Sequence, residues 1–505
     1  MALLLKPWLL LPLAAVLIGT ATLYPGAMPS EAAPAVPTVD GPFLFLDREL
    51  IDEDRSVNLR WVVHPPRITE RVLTPDKPWE AMGYHYWSQV LETDTGYRLY
   101  YRRMPVDASD TAGQYCVAVS TDGIHWEKPK LGLSFYNGLD TNCTGPGYQF
   151  VFVDPNAAPA RRYKQFGHLA DESFGLVGVG SDGLRFRPEA RQLLPFFADS
   201  QNVVLWDDDR ERYLVFLRGR NADGRTVVLA TATSVEQPLP YRPNPGRPNT
   251  GPRAYPSIDD ELPTVLAATA ADWAGWQDPR PGMVDIYHNA AFKYPWARRV
   301  YLAFPNLYYH YSPRTTPRAL NTNDGEFEVQ LAVSRNGETW TRYPTPYVAR
   351  GVLDGTRMFM MSMGQGLIRR GDRLYQYVIA LPRSHGFGAN FDGEWRWILQ
   401  DEETRARWMA GERGGIYRTE IELHRFVSLQ ADTAESVVTT QPFRYYGSGL
   451  QLNLRTWEDG FVCVGLLDER GRPLPGRGPA ECDPLRGDGQ ALTATWGGET
   501  DLGAW

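Results

Sequence analysis

Cysteine is scarce. Four in 505 residues are too few for disulfides to be the scaffold of the fold. Cys463 with Cys482, or Cys116 with Cys143, could pair in an oxidising compartment, and buried free thiols are the other reading. No CxxC or HExxH spacing occurs, so neither a metal nor any other cofactor is expected. Basic clusters are lacking too: a net charge of -8 turns the chain away from nucleic acid. The one long apolar run, Trp8 to Tyr24, follows Lys6, is interrupted by Pro12, and precedes Ala33-Pro34-Ala35. Residues 1–35 therefore read as a secretory signal with an A-x-A cleavage site, or else as an uncleaved anchor. The expected product is exported: secreted, periplasmic, or tethered to a membrane by its N-terminus only. Helix-favouring composition is rare and centres on Val265 to Ala271, inside an insertion at 238–276 that reads as a helix or ordered lid.

Turn formers and aromatics are abundant. Gly and Pro number 47 and 40, and an aromatic content of 12% excludes disorder as their explanation. One pattern recurs along the chain. Asn202-Val203-Val204-Leu205-Trp206, a charged turn over 207–212 and Tyr213-Leu214-Val215-Phe216-Leu217 read as two strands joined by a turn that stays out of the core. Similar hairpins fall at 87–102, 150–168, 290–304 and 366–380, spaced by roughly 50 to 90 residues, enough for a four-stranded sheet each. Downstream of some of them lie Ser120-Thr121-Asp122-Gly123, Ser181-Asp182-Gly183 and Ser334-Arg335-Asn336-Gly337. Asp-Gly and Asn-Gly suit tight two-residue turns. The pattern predicts an all-β protein: a five-bladed β-propeller over 75–432, whose radial packing protects sheet edges, followed by a small C-terminal β-sandwich over 433–505. Residues 36–74 form an N-terminal extension whose apolar Phe43 to Leu46 pairs with the last blade or with the C-terminal module.

Pro78-Trp79-Glu80, the Ser-x-Asp-Gly-x-x-Trp turn, Asp199-Ser200-x-Asn202-x-x-x-Trp206-Asp207 and the terminal Cys482-Asp483-Pro484-Leu485-Arg486-Gly487-Asp488-Gly489 carry a resemblance. The chain resembles bacterial proteins classed with glycoside hydrolase family 32, within the five-bladed-propeller glycosidases that include families 43 and 68. The resemblance implies hydrolysis of a glycosidic bond, a carbohydrate partner and no cofactor. Characterised members of family 32 carry Asn-Asp-Pro-Asn, Arg-Asp-Pro and Glu-Cys. Here Asp154-Pro155-Asn156, Asp278-Pro279 and Glu481-Cys482 echo these but fall in a hairpin turn, the insertion and the terminal module, away from innermost strands.

Glycoside cleavage needs two carboxyl groups flanking one bond, one protonated and one ionised. In a propeller they meet at the axis, so acids just ahead of each hairpin are the candidates: Glu80, Asp199 and Asp285. Strand-end carboxylates also commonly cap backbone amides, which is the bland alternative for each. Asn202, Tyr287, His288 and Arg357 are candidate substrate-binding companions, with Trp395 and Trp397 as a stacking wall. The competing function is a carbohydrate-binding or structural propeller without catalysis, which needs aromatic platforms but no carboxylate pair.

Overall fold

The computed structural model describes residues 36–106, 110, 114–144, 150–199, 202–243, 261–312, 314–315, 323–386, 402–431 and 435–502. Residues 1–35 and the stretch bearing Trp395 and Trp397 lie outside these. The fold is nearly all-β; its α-helices among the described residues are the short Ala270–Ala274 and Glu402–Met409. No helix among the described residues is long and apolar enough to cross a membrane. The chain divides into two compact units, one comprising 65–295 and 299–423, the other the remainder.

In the larger unit, each hairpin read from the sequence is an antiparallel strand pair. Tyr84–Thr93, Gly96–Arg103 and Tyr115–Ser120 form a first sheet, and a disulfide joins Cys116 to Cys143. Phe150–Val153, Tyr163–His168, Phe174–Gly180 and Arg187–Leu194 form a second. A third is Val203–Asp207, Arg212–Asn221, Gly224–Ala232 and Thr264–Leu266. An eleven-stranded sheet follows. One half is built around Gly325–Ser334, flanked by Asn306–His310, Tyr301–Ala303 and Trp340–Val348. The other half is built around Arg373–Leu381, flanked by Met360–Met363 and Gly415–Glu422. The halves are joined by a single parallel pair, Phe327 with Met360. The outer edge of the second half is covered by Arg67–Leu73, antiparallel to Gly415–Glu422.

Each sheet also touches the next. The Gln89 side chain hydrogen-bonds both ways with the Val151 backbone, at 2.7 and 3.2 Å. Tyr213 donates to Asp154 at 2.9 Å, and Tyr301 donates to Asp207 at 2.6 Å. Val90 N donates to Gln365 O at 2.8 Å, which brings the first sheet against the last half-sheet.

Several local expectations change. The Asp-Gly and Asn-Gly turns are longer than two residues, because a side chain takes over the work of the backbone. Asp122 Oδ1 accepts from Ile124 and His125 N at 2.8 Å each, Asp182 Oδ1 from Leu184 and Arg185 N, and Asn336 Oδ1 from Glu338 and Thr339 N. Each turn presses its glycine on a neighbour: Tyr377 donates to Gly123 O at 2.6 Å, Tyr100 to Gly183 O at 2.9 Å, and Gly337 meets Leu214. The charged turn 207–212 is not wholly exposed, since Asp207 is buried with Tyr301 and Lys293 beside it. In the insertion, Val265-Leu266 is an edge strand on Gly224–Ala232. The helix is reduced to Ala270–Ala274, started by a reciprocal Thr269 and Asp272 capping box.

Gly337 has φ +73°, and a Cβ there would fall 2.4 Å from Leu214 Cδ1. Gly337→Ala is expected to destabilise by about 2–4 kcal/mol, combining the left-handed backbone cost with overpacking. Gly138→Ala, at φ +80° with nothing within 4 Å, should cost only about 1–2 kcal/mol. Equal urea midpoints for the two variants would contradict this packing.

The second unit pairs its N-terminal and C-terminal residues. Leu59–Val63 runs antiparallel to Val427–Ala431, Thr38–Val39 runs parallel to Arg444–Tyr445, and Gln451–Arg455 pairs with Asp488–Thr493. Phe43 to Leu46 forms no strand; Phe45 packs with Ile51 and Leu429. Leu452, Leu454, Val462, Leu485 and Trp496 make a separate apolar cluster. Cys463 and Cys482 are free thiols.

Candidate active site

Asp199 precedes Val203–Asp207 with φ +44°, a conformation that aspartate tolerates better than most residues. Asn202 holds this bend: its Nδ2 donates to Asp199 O at 3.1 Å, and its Oδ1 accepts from Arg218 N at 3.2 Å. Arg218 Nη1 donates to Asp199 Oδ2 at 3.2 Å. The Arg218 side chain is 2% exposed and that of Asp199 34%, so this carboxylate is fixed yet open to solvent.

Asp285 lies in Val284–Ile286, one sheet on. Its Oδ2 accepts from Arg225 N and Nη1, both at 3.0 Å, and His310 Nε2 is 3.2 Å away. Burial pushes this carboxyl upward, but the Arg225 charge and then His310 outweigh it and hold Asp285 well below the usual carboxylate range. The approach requires a glycine opposite: a Cβ on Gly224, at φ +119°, would lie 2.8 Å from Asp285 Cβ. Asp285 Oδ1 is buried with no hydrogen-bond partner among the described residues.

Between these acids in the contact network stands Tyr287. Arg218 Nη2 donates to its carbonyl at 2.6 Å. The Arg218 and Arg225 guanidiniums lie 4.6 and 5.4 Å from its ring centroid. Its hydroxyl is 2.7 Å from Tyr86 Oη and 3.0 Å from His385 Nε2. His385 Nδ1 lies 3.0 Å from Tyr308 Oη. Burial, then Arg225, pull His385 down to about 3. It is therefore neutral, offering one donor and one acceptor to the three tyrosines.

A third acid, Asp324, flanks this cluster. Its Oδ1 accepts from Gly325 N at 2.8 Å and Gly386 N at 2.6 Å. Burial raises its pKa despite those amides. Gly386 admits it closely, since a Cβ there would fall 2.6 Å from Asp324 Cγ. Arg225 Nη2 reaches the adjacent Asn323 Oδ1 at 2.9 Å, which links Asp285 to the Asp324 loop.

The structure thus brings Asp199, Asp285, Asn202 and Tyr287 into one network. Glu80 stands apart. It is fully buried at the end of the turn Pro78–Glu80, with Oε1 accepting from Tyr101 at 2.6 Å and Oε2 from Lys128 at 2.5 Å. With both oxygens engaged it anchors the first sheet, and among the described residues its partners do not include Tyr86, Tyr287 or Tyr308. His288 is a buried neutral imidazole held at about 3 by burial and then Arg218, with Nε2 3.0 Å from Ser362 Oγ. Arg357 is half-exposed, 3.5 Å from Glu326 and stacked on Phe359. Trp395 and Trp397 lie outside the described residues. Among the echoes of family motifs, Asp154 is paired with Lys164 at 3.0 Å, Asp278 with Arg280 at 2.6 Å, and Glu481 is exposed.

Sequence reasoning missed Tyr86, Arg218, Arg225, Tyr308, Asp324 and His385. One signal was available: Arg218 continues the apolar run Tyr213 to Leu217, and a cation extending a buried strand needs an anion nearby. Asp207, Asp208 and Asp209 are the described acids close enough to share a metal ion. Lys293 Nζ already contacts all three, at 3.9 Å from Asp207 and 2.8 Å from Asp209.

No family model and no curated protein matches the chain. Among solved structures, the chain is similar to a glycoside hydrolase at 12% identity and TM-score 0.43, over 71% of this chain and 92% of the other. It is similar to an endo-1,4-beta-xylanase from Bacteroides thetaiotaomicron at 12% identity and TM-score 0.38, over 71% and 96%. A glycosyl hydrolase from Bacteroides ovatus is similar at 11% identity and TM-score 0.40, over 75% and 97%.

Proposed function

We propose that this protein is an exported glycoside hydrolase, a five-bladed β-propeller with a small C-terminal β-sandwich, that cleaves a glycosidic bond with carboxyls gathered at the propeller axis. The observation that carries the reading is the convergence of side chains from the four largest sheets of the larger unit. Tyr86 comes from the first sheet and Asp199 with Arg218 from the third; Asp285, Tyr287 and Asp324 come from the half-sheet around Gly325–Ser334, and His385 follows Arg373–Leu381. The second sheet contributes His168, whose imidazole feels the Asp199 charge. The ring is supported by the sheet-to-sheet contacts, which run from each sheet to the next and from the last half-sheet back to the first.

Roles follow from environment. Asp324, kept toward its neutral form by burial, donates the proton to the leaving oxygen. Asp199, ionised beside Arg218 and accessible, serves as nucleophile or as base for a water. Asp285, enclosed and ion-paired, positions Arg225 and through it the Asp324 loop. Tyr86, Tyr287 and His385 orient the sugar hydroxyls or the attacking water. No cofactor enters.

The test is hydrolysis by the purified full chain across a panel of aryl glycosides and oligosaccharides, read as reducing-end release. Tyr287→Phe should lower kcat/KM by roughly 10-fold with an unchanged circular dichroism spectrum, as expected for one lost hydrogen bond. Failure of the wild type to cleave any glycosidic bond would move the protein to the carbohydrate-binding reading.

A further inference from the structure

Charges that reach the tyrosine cluster are unequal in sign. Asp199 and Asp285 each already have a guanidinium partner, Arg218 and Arg225, and Asp324 is held toward neutrality by burial. Two more guanidiniums sit in the same neighbourhood, and neither is paired with a carboxylate among the described residues. Arg102 is half-buried, donates Nε and Nη2 to Gln114 Oε1 at 3.1 and 2.8 Å, and lies 5.6 Å from the Tyr115 ring centroid. Its charge acts on His85, Tyr86 and His168. Arg383 is 3% exposed and donates Nη2 to Tyr84 O at 3.1 Å. Burial lowers it only to about 10, so it stays charged at neutral pH. The electrostatic attractions that oppose this lowering come from Tyr86 and then Asp324.

A guanidinium removed from water without a counter-anion is costly, so an anion that arrives beside it is favoured. Hydroxyl groups of a neutral sugar would leave that field unanswered. We infer that the substrate is an anionic glycan, with a carboxylate or sulfate group received at Arg102 and favoured by the field of Arg383. The inference rests on the glycoside reading of this site and narrows its substrate class. Arg102 is the contact because its fork of donors matches a planar or trigonal oxyanion and it is the more accessible of the two.

The experiment uses the full chain with oligogalacturonides, their carboxyl-reduced neutral counterparts, chondroitin sulfate oligosaccharides and neutral xylo-oligosaccharides. Binding is measured by calorimetry and cleavage by reducing-end release. Acidic oligosaccharides are expected to be preferred, and Arg102→Gln should weaken binding and kcat/KM toward them about 10- to 100-fold, the range for a lost charged hydrogen bond. Effects on the neutral counterparts should stay within about 2-fold, and Arg102→Lys should recover part of the loss. Binding of oligogalacturonides that is lost on carboxyl reduction assigns a carboxylate, whereas binding of chondroitin sulfate that survives carboxyl reduction assigns a sulfate. Cleavage of neutral oligosaccharides with no acidic preference overturns the inference and leaves the hydrolase reading standing. Arg102-dependent binding of acidic oligosaccharides with no cleavage overturns the hydrolase reading alone. Absence of both binding and cleavage overturns both.

Discussion

Asp324→Asn and Asp199→Asn are each expected to reduce hydrolysis by about 10²–10⁴-fold, the range for removing one proton-transfer or nucleophilic group, while the fold survives. The two should differ in a diagnostic way. A substrate whose leaving group needs no proton, such as a dinitrophenyl glycoside, should be largely spared by Asp324→Asn and not by Asp199→Asn. The pH profile carries the same assignment. A general acid works while protonated, so the rate should fall as pH rises through the raised Asp324 pKa, and this alkaline limb should vanish in Asp324→Asn. Stability runs in the same direction. A carboxyl with a raised folded pKa contributes stability that is complete below the ordinary aspartate range near ~4 and is lost as pH rises through the folded value. At neutral pH the Asn variant should therefore be no less stable than wild type in urea. A large stability loss there would mean that Asp324 is structural.

The second large effect is on stability. Asp285 is 2% exposed and paired with Arg225, so Asp285→Asn leaves a nearly buried guanidinium with a neutral partner. The expected cost is about 3–5 kcal/mol at pH 7, the range for breaking a buried pair from one side. Because the folded pKa of Asp285 is depressed, its contribution is present above the unfolded value near ~4 and is lost as pH falls below it. The gap in urea midpoint between wild type and variant should close on acidification. A gap that persists unchanged at low pH would show that the loss comes from packing and not from charge.

The hairpins were legible because their signal is local. Val203-Val204-Leu205 and Tyr213-Leu214-Val215 alternate with turn formers whatever the rest of the chain does. Asp199 and Asp285 were legible as acids near strand starts, and the structure links both to Tyr287 through Arg218 and Arg225. Other features depend on distance. Glu80 looks like an axial acid until Lys128, far along the chain, is seen to neutralise it. Asp324 was missed because Asn323-Asp324-Gly325 reads as turn punctuation; only the approach of Gly386 and the burial of the carboxyl make it an acid with a raised pKa. Val265-Leu266 read as helix by composition, and edge pairing with Gly224–Ala232 overrode that preference, as tertiary context commonly does.

The strand Arg67–Leu73 lies beside Gly415–Glu422, with Ile68 opposite Thr419. Nothing shorter than this whole length of chain can complete that edge, so the sheet must wait for nearly all of the larger unit to emerge. At ordinary synthesis speeds the N-terminal strand spends roughly 20–70 s without its partner. Contacts of such separation form late and slow the folding rate. The same seam is where a finished molecule should first come apart: amides of Arg67–Leu73 should exchange with solvent ahead of those of Arg212–Asn221, a strand paired along both edges by its own neighbours in sequence.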